Sequence, residues 1–153
     1  MERSVRRKGY MKIRNWTNDD IVSVAVIEKN CFSKPWTLAM LEEEINNPYF
    51  FCLVVETDNI VIAYLNYHII NGQYHIANIA VESNYRRKGI AKGLLKELLR
   101  SAKENNISGI TLEVNSNNAA AENLYKKMGF KTMGIRKKYY GGTEDALIMW
   151  LYL

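Results

Sequence analysis

A chain of 153 residues, 48% of them apolar, can bury a core as one domain without disulfides or metals to staple it. No run approaches the roughly 18 apolar residues of a membrane span, and the N-terminus MERSVRRKGY lacks the apolar stretch of a secretory signal. The formal charge of +5 is uneven: residues 1–10 hold four of 21 cations and one of 16 anions, leaving 17 against 15 elsewhere.

A basic flexible tail at 1–10 and a single domain at 11–153 are therefore expected, cytoplasmic, with no membrane association and no direct, specific nucleic-acid binding. Cys31 and Cys52 stand in apolar surroundings without CxxC spacing, as reduced core residues do. His68 and His75 lie in separate strand-like runs, too few for a metal site, and neither is given a role. No metal is expected.

A strand at Met11–Arg14 precedes Thr17-Asn18-Asp19-Asp20, a helix-start cluster. The first helix, 18–31, carries Ile21, Val24, Ile27 and Cys31, and Phe32-Ser33-Lys34-Pro35-Trp36 breaks it. Thr37 caps a second helix with Leu38, Leu41 and Ile45 at spacings of three and four, ended by Pro48. Three strands follow, at 49–56, 60–70 and 73–81, with turns at Thr57-Asp58-Asn59 and Asn71-Gly72. A long helix at 89–105 places Ile90, Leu94, Leu95, Leu98, Leu99 and Ala102 on one face. A strand (109–115), a helix opened by Asn118 (118–128) and two strands (130–138, 144–152) complete the chain. This order predicts an α/β fold of the α+β type. It has a mixed, mostly antiparallel sheet of about seven strands, about four helices and a central right-handed β-α-β crossover.

Within that order, YRRKGIAKGLL (85–95) joins a strand end to a helix start. There the first N–H groups lack intrahelical partners and the helix dipole is positive. Gly89 lets a ligand approach the backbone, Ala91 adds little bulk, and Arg86, Arg87 and Lys88 add charge, which suits a phosphate. The Walker pattern GxxxxGK[ST] is absent, and GxGxxG would need glycine at Ala91 and Leu94. On these residues alone, a helix end with solvated cations is an equal reading.

Arg86-x-x-Gly89-x-Ala91 resembles the Q/R-x-x-G-x-G/A motif of the GNAT acetyltransferase superfamily. NIAV (78–81) is similar to the strand before that motif, and LEVNSNNAAAENLYKKMGF (112–130) to the second half of the cofactor site. With IRKKYY (135–140) and EDALIM (144–149), these blocks most resemble the RimI type, the ribosomal-protein-alanine N-acetyltransferases. The similarity covers roughly 11–153 and is strongest from 78 to 149.

The resemblance implies acetyl-CoA as donor and direct transfer to a protein N-terminal amine, most specifically the alanine of a ribosomal protein. It implies donor binding by Arg87, Lys88, Gly89, Ile90, Ala91 and Lys92, with Ile79, Ala80 and Val81 facing the pantetheine. It further implies Glu113 as base and Tyr125 as acid. Asn118 is both a helix cap and a cofactor contact. In ITLEV, Glu113 alternates with an apolar face, so a solvated strand carboxylate is its other reading. Tyr125, about 100° round from Leu124, reads otherwise as a tyrosine at the core's edge.

Phe32, Pro35 and Trp36, with Tyr139 and Tyr140, correspond to peptide-groove residues; ordinary packing is the alternative. Asn115-Ser116-Asn117 lacks the arginine that many relatives carry after the Glu-Val pair. The competing functions are acetylation of another amine (polyamine, antibiotic or lysine side chain) and a non-catalytic acetyl-CoA-binding protein.

Overall fold

A computed structural model of the protein describes residues 11–153, and the expected basic tail lies outside the described residues. In chain order the elements are β1 (Met11–Asn15), α1 (Ile21–Cys31), α2 (Leu38–Glu44), β2 (Phe50–Thr57), β3 (Ile60–Ile70) and β4 (Gln73–Val81). They continue with α3 (Ile90–Glu104), β5 (Gly109–Asn115), α4 (Ala119–Lys127), β6 (Lys131–Tyr140) and β7 (Glu144–Tyr152). The strands are ordered β1-β2-β3-β4-β5-β7-β6. β4 and β5 pair in parallel; the β1–β2, β5–β7 and β6–β7 pairs are antiparallel. This is the expected mixed α/β architecture.

β3, β4, β5 and β7 begin and end where the sequence places them. Their turns explain why: Asp58-Asn59 and Asn71-Gly72 all have positive φ, the geometry of a two-residue hairpin turn that joins twisted strands. The first helix departs from expectation. Asn18–Asp20 form a 3-10 turn, and α1 starts only at Ile21. Asp20 is the reason, since its carboxylate accepts both Arg14 Nη atoms (2.7 and 2.9 Å) and the Thr17 N–H (2.7 Å). α2 is shorter than expected, and Leu38 is exposed, leaving Leu41 as its buried residue.

The chain divides into two compact units. One runs through Tyr67 and includes Asn78–Leu94; the other comprises His68–Ala77 and Leu95–Leu153. In the first, Ile21, Val24 and Ile27 of α1 pack with Leu41, Cys52, Val54, Tyr64 and Ala80, flanked by Phe32 and Trp36. In the second, Ile110, Leu112 and Val114 of β5 are buried with Ala146 and Met149 of β7. No helix is long and apolar enough to cross a membrane among the described residues.

Candidate active site

In the first unit, β4 ends at Val81 and a 3-10 turn (Ser83–Tyr85) leads to α3. Arg86 folds back on the strand it follows: its Nε donates to the Val81 carbonyl at 3.0 Å, and an Nη lies 3.4 Å from Cys31 Sγ. The first residue of the basic run is thus spent on the loop's own course. Arg87 takes φ +62° and Gly89 φ +77°, both left-handed, which turns the chain into the helix. Arg87, Lys88, Gly89 and Lys92 are exposed, Ala91 is half-buried, and Ile90 is buried as the helix's first anchor.

A Cβ built on Gly89 would meet nothing within 4 Å. Gly93 N–H is the bond that returns to Gly89 O (3.0 Å), so the N–H groups before it lie in the helix's unpaired first turn. Open space, a positive helix end and exposed cations fit a phosphorylated cosubstrate.

Ile79, Ala80 and Val81 lie just ahead, and β4 is irregular before them. A two-residue turn at Asn71-Gly72 would set Glu82 opposite Val61. The Glu82 N–H donates instead to the Ile62 carbonyl (2.9 Å), a slip of one residue. The Asn78 N–H goes to a side chain, Asn66 Oδ1, at 2.8 Å. Asn78 Nδ2 in turn donates to both oxygens of Glu28, at 2.7 and 3.3 Å.

Glu28 is fully buried, and burial raises its carboxyl above the usual range, opposed by the Tyr64 hydroxyl, then the Asn78 bonds, then the Trp36 N–H. The Tyr64 hydroxyl interacts with this carboxylate electrostatically without a hydrogen bond of ordinary geometry. Sequence reasoning missed this cluster. The available signal was a charged residue one turn beyond Val24 on the apolar face of α1.

In the second unit, β5 presents Glu113 on the face opposite Ile110, Leu112 and Val114, as the alternation predicted. His75 Nε2 sits 3.0 Å from Glu113 Oε1, and Arg136 Nε 4.0 Å from Oε2. The histidine bond, outweighing burial, holds the Glu113 carboxyl below its usual range. His75 had been given no role; only the parallel β4–β5 register, with His75 beside Thr111, brings it to Glu113.

Tyr125 differs from the amphipathic reading. It is 5% exposed, while Leu124 is only half-buried. The helix end accounts for this: Gly129 adopts φ +103° and the Phe130 N–H returns to the Tyr125 carbonyl at 3.0 Å. That closure lays the Phe130 ring on Tyr125, centroids 5.8 Å apart. Burial first, then the charge of Tyr140, raises the Tyr125 phenol above its usual range. Tyr140 is itself pushed up to about 12 by burial, then by Tyr139 and Glu113. Glu113, Tyr140 and Tyr125 therefore share one electrostatic neighbourhood.

Tyr139 is half exposed and meets Tyr140 edge-on, centroids 5.0 Å apart, with the Arg136 guanidinium 5.5 Å over its ring. The β6 register shifts between Arg136 and Tyr140, and the Lys138 N–H there, at φ +52°, donates to Asp145 Oδ1 (2.8 Å). Asn115 and Asn117, in the stretch without an arginine, both donate to Glu144 (2.8 and 2.9 Å). The Asn118 Oδ1 caps α4 through the Ala121 N–H (3.1 Å). In the first unit, Trp36 stacks on Phe50 at 5.5 Å, and Pro35 is half-buried beside it in sequence. No group of three or more potential metal ligands occurs among the described residues.

The pattern of the Acetyltransferase (GNAT) family matches residues 21–130, from α1 to the residue after the α4 turn. The chain belongs to the GNAT family. It is an N-acetyltransferase, and its donor is acetyl-CoA. This GNAT chain is 38% identical over 141 residues, 91% of its length and 93% of the relative's, to a Bacillus subtilis protein provisionally named a ribosomal protein bS18-alanine N-acetyltransferase. A Haemophilus ducreyi enzyme of that name is 34% identical over 83% of this chain and 90% of its own. The crystal structure of the ribosomal-protein-S18-alanine N-acetyltransferase from Escherichia coli superposes with a TM-score of 0.87 at 27% identity, covering 93% of each chain.

Proposed function

We propose that this GNAT enzyme acetylates a protein N-terminal α-amine in the cytoplasm, and that its acceptor is the N-terminal alanine of a ribosomal protein. The reading stands on one arrangement, the ionised Glu113 held by His75 in the neighbourhood of Tyr125 and Tyr140. The names of the relatives support the same acceptor.

Acetyl-CoA supplies an acetyl thioester. Arg87, Lys88 and Lys92 attract its phosphates, the Gly89–Ala91 backbone cradles them, Asn118 contacts the donor, and Ile79–Val81 line its pantetheine arm. A backbone N–H near Val81 polarises the carbonyl. An N-terminal amine, with a pKa of about 7.7–8.0, is partly neutral near pH 7, whereas a lysine near 10.4 is not. Glu113 accepts the proton the amine loses, directly or through water.

The raised Tyr125 phenol keeps its own proton at neutral pH. It donates a hydrogen bond to the leaving sulfur rather than surrendering the proton, because a thiol near 8.5 is the stronger acid. Phe32, Pro35 and Trp36 with Tyr139 and Tyr140 grip the acceptor peptide.

The test is thiol release from acetyl-CoA with peptides beginning Ala-Arg, Met-Leu and Ser-Glu, beside spermidine and an N-blocked lysine peptide. Turnover confined to the Ala peptide is expected. Turnover of spermidine or lysine alone would replace the acceptor, and binding without turnover would remove catalysis.

A further inference from the structure

We propose that Asn66 is a positioning residue for the acyl donor: its side-chain oxygen takes the Asn78 N–H in place of a backbone carbonyl and so sets the course of Ile79–Val81. The inference rests on the reading above, in which that backbone lines the donor.

An extra residue in a strand interrupts the ladder and leaves an N–H seeking an acceptor. The one-residue slip at Glu82 marks such an insertion, and Asn78 is the residue whose N–H leaves the backbone ladder for a side chain. A buried N–H cannot go unpaired without a large desolvation cost. A carboxamide reaches further from its strand than a carbonyl does, so Asn66 can satisfy the displaced N–H without drawing the strand back into register. Asn66 does this at a disadvantage. It is fully buried and its Nδ2 has no partner among the described residues, so an apolar residue would suit the packing better. What the asparagine adds is the bond to Asn78.

Asn78 is held a second way, through its own side chain on the buried Glu28 carboxylate of α1. Beyond it, the Val81 carbonyl is held by Arg86 and the Glu82 N–H by Ile62. Ile79, Ala80 and Val81 thus run between two fixed points. Their backbone groups are set before any donor arrives, which lowers the ordering cost of binding.

The experiment compares the full chain with Asn66→Leu, which is isosteric but has no acceptor, and Asn66→Thr, a good strand former whose hydroxyl falls short. Asn66→Asp keeps the oxygen. Acetyl-CoA affinity is measured by calorimetry, the acceptor-peptide KM by thiol release, and Asn78 amide exchange by NMR without ligand. Binding and turnover by the wild type test the acetyltransferase reading itself; the ratios of variant to wild type test Asn66.

Loss of one such hydrogen bond predicts acetyl-CoA binding weakened about tenfold in the Leu and Thr variants. Asn78 exchange should quicken, acceptor KM should hold, and Asp should restore affinity. An unchanged donor affinity in either folded variant overturns the proposal. So does an equal loss for donor and acceptor that Asp fails to rescue.

Discussion

His75 Nε2 stands 3.0 Å from Glu113 Oε1, and this bond is the first cause that holds the candidate base below the usual carboxylate range. Half-burial alone would push a carboxyl up. The histidine contact outweighs that effect, and Arg136 adds a smaller pull in the same direction. Glu113 is therefore ionised throughout the working pH range.

The first consequence concerns pH. Since Glu113 is held low, kcat/KM should rise with pH along the deprotonation of the acceptor amine, with an apparent pKa of about 7.7–8.0. No acid limb from Glu113 should appear between pH 5 and pH 8. A limb in that window would mean that Glu113 is not held low in the working enzyme.

Removing the two reacting groups should separate chemistry from binding. Glu113→Gln should lower kcat by about 100-fold or more, the range of a lost general base. Tyr125→Phe should lower it by at least about tenfold, as one lost transition-state donor does. Both should bind acetyl-CoA as the wild type does. Wild-type rates in either folded variant would strike that residue from the mechanism.

How far these groups could be read in advance depends on how local their cause is. Glu113 follows from period-two alternation within seven residues, and the hairpin limits from Asn71-Gly72. His75 does not, because only the non-local register beside Thr111 brings it to Glu113. Tyr125 reads from periodicity as a tyrosine at the core's edge, yet it is buried, because the Gly129 closure and the Phe130 ring cover it. The Asn66–Asn78–Glu28 chain was invisible for a similar reason. It exists because β4 slips by one residue, which no propensity encodes.

Asp20 ties β1 to the start of α1, and its pH dependence has a definite sign. The Arg14 guanidinium, first, and the Thr17 N–H hold its carboxyl below the usual range. A carboxyl lowered on folding adds stability above its unfolded pKa of about 3.9, and that stability fades as pH falls through the lowered folded value. Asp20→Asn should therefore cost about 2–4 kcal/mol at pH 7, as expected for a mostly buried, bidentate pair. It should also remove part of the steep loss of stability below pH 4. Denaturant unfolding at pH 7 and pH 3 checks this; an equal cost at both would mean that the carboxylate charge contributes nothing.

Gly89 separates conformational cost from ligand access at the donor loop. Its φ of +77° is left-handed, so Gly89→Ala carries backbone strain of about 1 kcal/mol. The added methyl meets no atom of the described residues within 4 Å, so no packing clash with them adds to that. The unliganded variant should thus be only slightly less stable than the wild type. The methyl would, however, project into the space the phosphates are proposed to occupy. Acetyl-CoA affinity should fall by more than the stability loss alone predicts, while adding the ligand should raise the thermal midpoint of the wild type far more than that of the variant. Equal midpoint gains in the two proteins would place the phosphates elsewhere and return this turn to an ordinary helix start.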